Sequence, residues 1–227
     1  MVLDARVTPP PLLDGVEALI FDFDGTLFDL PVDWPAARVE LGLAPEASIT
    51  EWMQRGIDAG ETAGFDVLTR YELAAIERGR FTPGAADALA RVVGEYPTAV
   101  LTRNSAACVR AALGELARDV LVRDVLVVDR ADVRRLKPDP EGVHLVLAHY
   151  GVPAGSCLLV GDTFHDVLAA AAAGVRSAVV RNPALAYRPD GADYYLDALT
   201  GAFDMSSGCG IGRRRRSYHR GRAGDDR

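Results

Sequence analysis

Short apolar runs alternate with stretches of helical periodicity through most of this chain, and that alternation predicts its architecture. Leu19-Ile20-Phe21, Thr98 to Thr102, Val125 to Val128, Cys157 to Val160 and Ser177 to Val180 read as buried strands, with Tyr194-Tyr195-Leu196 as a short sixth. Between them, Ala85 to Val93, Asn104 to Leu116, Glu141 to Tyr150 and Val167 to Ala173 read as helices. Strands alternating with helices over this length predict an α/β fold with a parallel sheet and helices on both faces. Ligands in such sheets sit at the carboxyl ends of the strands, near the point where strand order reverses.

One segment breaks the alternation. From Phe28 to about Gly79 the texture is helical, with apolar residues at helical spacing over Ala36 to Leu43, Ile49 to Ala59 and Val67 to Ile76. Pro31 and Pro35 lie near the expected helix starts, where proline is tolerated. Phe81-Thr82-Pro83-Gly84 then turns the chain back to the main body. The expected organisation is a flexible lead-in over 1–15, an α/β core over 16–28 and 80–203, a helical cap over 29–79 and a disordered basic tail over 204–227. No internal repeat is present. An insert placed directly after the first strand has the position of a lid.

Composition adds limits to this picture. With 227 residues, 49% hydrophobic and 25% charged, the chain has an ordinary globular profile and can bury one sizeable core with a small accessory domain. No apolar run approaches the roughly 20 residues that span a bilayer, so no membrane role is expected. The first residues lack the layout of a secretory signal. Cys108, Cys157 and Cys209 form neither a disulfide framework nor a metal-ligand spacing, which points to a reducing cytoplasm. The formal net charge of −7 is uneven, because seven arginines against Asp225 and Asp226 follow Met205. The acidic body argues against nucleic-acid binding. Only the basic tail offers such a contact, or one with an acidic partner, and a solvated tail without a role is the plainer reading.

The chemistry-bearing residues fall at strand ends. Asp22 and Asp24 end the first strand and are followed at once by Gly25. Two buried carboxylates there require a cation or a proton to offset them, although an acidic turn has the same pattern. Thr102 ends the second strand before Arg103, Asn104 and Ser105, which make either a helix N-cap or an anion cradle. Lys137 precedes Pro138 in Leu136-Lys137-Pro138-Asp139-Pro140, a stiffened backbone that can fix its ammonium. Gly161-Asp162-Thr163-Phe164-His165-Asp166 follows the fourth strand and reads as an N-cap or as half of a metal site.

In this order the four stretches resemble the haloacid dehalogenase-like hydrolase superfamily, and the position of the insert resembles its phosphoglycolate phosphatase-like branch. The resemblance spans about residues 17 to 203 and implies a three-layer, Rossmann-like core with a helical cap. It also implies a Mg²⁺-dependent phosphatase for a small phosphorylated metabolite. In that reading Asp22 is the nucleophile, Asp24 the general acid and base, and Thr102 and Lys137 the phosphate holders, with Gly25, Arg103 and Asn104 beside them. Asp22, Asp24, Asp162 and Asp166 would hold the metal. Arg103 is equally readable as a surface salt bridge, and His165 as a hydrogen-bonded loop histidine. His144 and His149 read as ordinary helix residues. Trp34, Arg38 and Arg55 are the cap candidates for reading the leaving group. A β-phosphoglucomutase-like phosphotransferase uses the same residues, and a non-catalytic module retaining the fold is the third reading. A dehalogenase lacks the second acid that Asp24 supplies. The active unit is expected to be a monomer or homodimer.

Overall fold

The computed structural model describes residues 11–114 and 125–203. The chain enters the sheet with β1 (Ala18–Phe21), then forms a short strand β2 (Phe28–Asp29) and three helices, α1 (Trp34–Glu40), α2 (Ile49–Ala59) and α3 (Phe65–Ala75). Strand β3 (Arg80–Phe81) follows and pairs antiparallel with β2. The remainder alternates: α4 (Ala85–Val93), β4 (Thr98–Leu101), α5 (Ala106–Leu113), β5 (Leu126–Val128), α6 (Glu141–Tyr150), β6 (Cys157–Gly161), α7 (Phe164–Ala173), β7 (Arg176–Val180) and β8 (Tyr194–Leu196).

The sheet has the order β5-β4-β1-β6-β7-β8, with every pairing parallel. The chain builds outward from β1 in one direction, then returns and builds in the other from β6. The reversal falls beside β1, which is the ligand-binding position of a doubly wound sheet.

Side-chain alternation in the central strands divides the core into two layers. Leu19 and Phe21 join Val100, Leu158 and Val160 under α4 and α5, whose Leu89, Val92, Val109 and Leu113 are buried there. Ala18 and Ile20 join Ala99, Leu101 and Leu159 under α6 and α7, with Val143, Val146, Ala169 and Ala170. Ile49 and Met53 of α2 and Phe65 and Leu68 of α3 extend this second layer into the helical insert. The fold class expected from the sequence is therefore the one observed.

Local capping sets the helix starts. Asp33 Oδ1 accepts from Ala36 N at 3.0 Å and Ser48 Oγ from Glu51 N at 3.2 Å, which starts α1 and α2. Helix α7 begins at Phe164, a turn before the apolar pattern suggests, because Thr163 and Asp166 form a reciprocal capping box. Helix α5 begins at Ala106, since Ser105 Oγ accepts from Cys108 N and acts as the N-cap. The expected end of that helix at Leu116 lies outside the described residues, as does the basic tail over 204–227. The β2–β3 ribbon is too short for periodicity to reveal. Phe28 and Phe81 meet edge to face across it, with ring centroids 5.3 Å apart.

Candidate active site

Hydrogen bonding that continues one residue past the strands fixes the site's backbone. Asp22 N donates to Val160 O at 2.8 Å, and Thr102 N donates to Val128 O at 3.0 Å. Each residue therefore sits at the carboxyl tip of a strand locked by its neighbour. Gly25 then turns the chain at φ +82°, and its N–H donates to Phe28 O at 2.9 Å. A Cβ on Gly25 would lie 2.3 Å from Asp162 Oδ2 and 2.5 Å from Asn182 Nδ2, so only glycine permits this approach.

Asp22, Asp162 and Asp166 converge, each offering a carboxylate oxygen within 4.8 Å of the others, and all three are buried. Lys137 is the ammonium among them. Its Nζ donates to Asp22 Oδ1 at 2.7 Å, to Asp166 Oδ1 at 2.6 Å and to Leu101 O at 2.9 Å, which uses all three of its protons. Asp166 Oδ2 accepts from Thr163 N and Oγ1 at 3.1 and 2.7 Å. Asp162 accepts from Asn182 Nδ2 at 2.7 Å and from Thr26 Oγ1 at 3.3 Å. Asp24 Oδ1 accepts from Leu30 N at 3.1 Å.

One lysine does not neutralise this cluster. Burial raises the pKa of Asp166, but the Lys137 ammonium and the Thr163 bonds outweigh it and hold that carboxyl below its ordinary value. Asp22 goes the other way: burial lifts it, the charge of Asp166 adds to the lift, and Lys137 offsets only part. Burial also pushes Asp162 up to about 7, helped by the charge of Asp22. Asp24 is raised to about 7, mainly by burial, and the Leu30 N–H opposes the shift. Burial would lower Lys137, yet Asp166 and Asp22 together hold it above its ordinary value. The site is an anionic pocket with a surplus of buried charge and an all-oxygen donor set. That combination fits a hard divalent cation such as Mg²⁺.

The neighbouring loop is equally ordered. Thr102 Oγ1 donates to Asn104 Oδ1 at 3.1 Å and accepts from Asn104 N at 3.0 Å. Arg103 lies close enough to lower both Asp22 and Asp24, and its Nη1 donates to Thr50 Oγ1 of α2 at 2.9 Å. His165 is half-buried with an unpartnered Nδ1, and burial, aided by Arg103, lowers its pKa to about 4. His149 stacks edge to face with Tyr150 on α6, away from the cluster in sequence and element.

The cap candidates have other occupations. Trp34 packs against both core layers. Arg38 Nε donates to Ala47 O at 2.9 Å and ties down the α1–α2 loop. Arg55 pairs with Glu51 at 3.9 Å on an exposed face. Residues absent from the sequence reading also enter the site. Asn182, just beyond β7, holds Asp162, and a strand-end rule applied to that loop would have found it. Gln54 of α2 accepts from Leu136 N at 2.9 Å and donates to Arg134 O at 2.8 Å, gripping the loop that carries Lys137.

The lysine-bridged carboxylate cluster lies at the reversal point of a doubly wound parallel sheet, where α/β proteins of this class bind their ligands. A sequence model described as haloacid dehalogenase-like hydrolase matches residues 16–174, and the chain belongs to that family. Among similar proteins, a phosphoglycolate phosphatase of Photorhabdus laumondii subsp. laumondii is 27% identical over 187 residues, covering 72% of this chain and 79% of that one. An N-acetylmuramic acid 6-phosphate phosphatase of Pseudomonas putida is 27% identical over 190 residues, covering 73% and 83%. The crystal structure of CbbY from Rhodobacter sphaeroides in complex with phosphate shares the fold, with TM-score 0.61, 22% identity and coverage of 82% and 95%. The chain is thus a haloacid dehalogenase-like hydrolase, similar to proteins that include phosphatases. Among the described residues no helix is long and apolar enough to cross a membrane.

Proposed function

We propose that the protein is a Mg²⁺-dependent phosphatase that hydrolyses a small phosphorylated metabolite through an aspartyl-phosphate on Asp22. The observation that carries this reading is the convergence of Asp22, Asp162 and Asp166 around one lysine at the tip of β1. Asp22, Asp162 and Asp166 would hold the cation, with Asp24 contributing from its backbone, and the cation would offset the repulsion between Asp22 and a phosphate dianion.

The Asp22 carboxylate attacks phosphorus, and the bond to the leaving oxygen breaks. Asp24, poised at about 7, protonates that oxygen and then takes the proton from the water that cleaves the acyl phosphate. Lys137 and Thr102 hold the phosphoryl oxygens, each turning toward them a proton now bonded inside the site, with Gly25, Arg103 and Asn104 beside them. Residues 29–79 act as the cap that encloses the leaving group and limits water access. The reading places the enzyme in a reducing compartment, in line with Cys108 and Cys157 being free and buried.

The names of the relatives set the first substrates to try. Phosphoglycolate and N-acetylmuramic acid 6-phosphate are incubated with Mg²⁺ or with EDTA, and free phosphate is read. Release that requires Mg²⁺ is the expected result. An isomerised sugar phosphate formed without release would replace hydrolysis by phosphoryl transfer.

Metal binding has its own signature. Asp24 and Asp162 titrate near 7 in the folded chain against an ordinary 3.8. Between those values the folded state holds more protons than the unfolded one, so without metal stability falls as pH rises through the window. A cation competes with protons for the Asp162 carboxylate. Mg²⁺ should therefore raise the melting temperature clearly at about pH 8 and little at about pH 5. Equal increments at both would exclude the Asp162 carboxylate as its ligand.

A further inference from the structure

A second charged cluster lies where α3 meets the core, and the chemistry above does not use it. Glu72 sits within the buried stripe Phe65, Leu68, Glu72 and Ala75 and is 1% exposed. Its donors outside α3 all come from the core. Oε1 accepts from Arg130 Nη1 at 2.5 Å and from Asn104 Nδ2 at 3.4 Å. Oε2 accepts from Ser105 N at 3.0 Å and Ser105 Oγ at 2.8 Å. Arg130, 2% exposed, also donates to Arg103 O, Phe65 O and Thr69 Oγ1.

Asn104 carries this arrangement to the phosphate side. Its amide is directional: with the NH₂ turned to Glu72, the carbonyl oxygen must face the Thr102 hydroxyl. Reversing the amide would set oxygen against carboxylate, which the buried site forbids. Two consecutive hydrogen bonds thus lead from a cap helix to Thr102. The other cap contacts converge on the same loops, with Thr50 on Arg103 and Gln54 on the backbone before Lys137.

We propose that Glu72 is a positioning residue, through which docking of α3 fixes Asn104 and so holds Thr102 Oγ1 in place through the Asn104 N–H. The hydroxyl proton turns from Asn104 Oδ1 to a phosphoryl oxygen when substrate binds. The proposal rests on the phosphatase reading above for the role of Thr102. It makes cap docking and phosphate grip a single event, since lifting α3 would release Asn104 and separate the ion pair.

Removing Glu72 alone would strand the Arg130 charge and endanger folding. The test is therefore the paired variant Glu72→Leu with Arg130→Met, which leaves neither charge unpaired. Its melting temperature should stay within a few degrees of wild type. For p-nitrophenyl phosphate, kcat/KM should fall roughly 10–100-fold, as when a group supporting a ligand is lost, and the Ki of inorganic phosphate should rise in parallel. Asn104→Ala should reproduce the loss and add nothing to the paired variant, because both act along one path. A purely structural role would lower the melting temperature and leave the phosphate Ki unchanged. Wild-type kcat/KM and Ki in the folded paired variant would overturn the proposal. If wild type releases no phosphate from any ester, the phosphatase reading falls, and amide exchange decides this one separately: exchange at Ser105 should accelerate in the paired variant, and unchanged protection there overturns it.

Discussion

Asp22→Asn should lower Mg²⁺-dependent phosphate release by roughly four orders of magnitude or more, as loss of a nucleophile typically does. The protein should stay folded. Asp22 stays raised by burial despite its bond to Lys137, and the charges of Asp166 and Asp162 repel its own. A neutral amide of the same shape relieves that repulsion, while Lys137 keeps its bonds to Asp166 and to Leu101 O. In EDTA near pH 8 the variant should melt at or above the wild-type temperature. Turnover and melting are therefore expected to move independently. Retained metal-dependent turnover would remove Asp22 as the nucleophile.

Lys137→Met should damage both turnover and stability. The side chain is buried and answers two carboxylates and a carbonyl, so methionine fills the space and leaves Asp22 and Asp166 without a counter-charge. Removing one partner of a buried ion pair costs about 3–5 kcal/mol. For a chain of this size that corresponds to a fall of roughly 6–20 °C in melting temperature. The loss should be largest near pH 8 and shrink toward about pH 5, where the acids take up protons instead. Mg²⁺ should restore part of the melting temperature and none of the turnover, because the cation does not replace the ammonium on the phosphoryl oxygens. An unchanged melting temperature in EDTA near pH 8 would contradict the charge balance described here.

Periodicity and strand-end position made much of this protein legible before its coordinates. Apolar runs of three to five residues located all six strands of the parallel sheet, and acids placed just beyond them located Asp22, Asp24, Asp162 and Asp166. These are signals along one segment at a time. What escaped needed two segments at once. Asn182 matters because it meets Asp162, twenty residues earlier and on a neighbouring strand. Gln54 reaches the loop before Lys137 from the insert. Glu72 did leave a trace, an acid where helical spacing calls for an apolar side chain. Read locally it breaks a stripe; only the fold supplies the Arg130 that explains it. Arg38 and Arg55 also have partners that the sequence did not show, the Ala47 carbonyl and Glu51.

The β2–β3 ribbon has an evolutionary consequence. Because Phe28 pairs with Phe81 and Asp29 with Arg80, everything between them leaves and rejoins the body through one closed doorway. Loop-closure entropy changes little with the length of what is threaded through such a doorway, and the register of the sheet does not depend on it. On the proposed reading, a lineage could exchange the insert that encloses the leaving group while the strands carrying Asp22 and Asp162 keep their places. Any replacement would have to cover the core surface that Ile49, Met53, Phe65 and Leu68 now bury and again present a carboxylate where Glu72 stands.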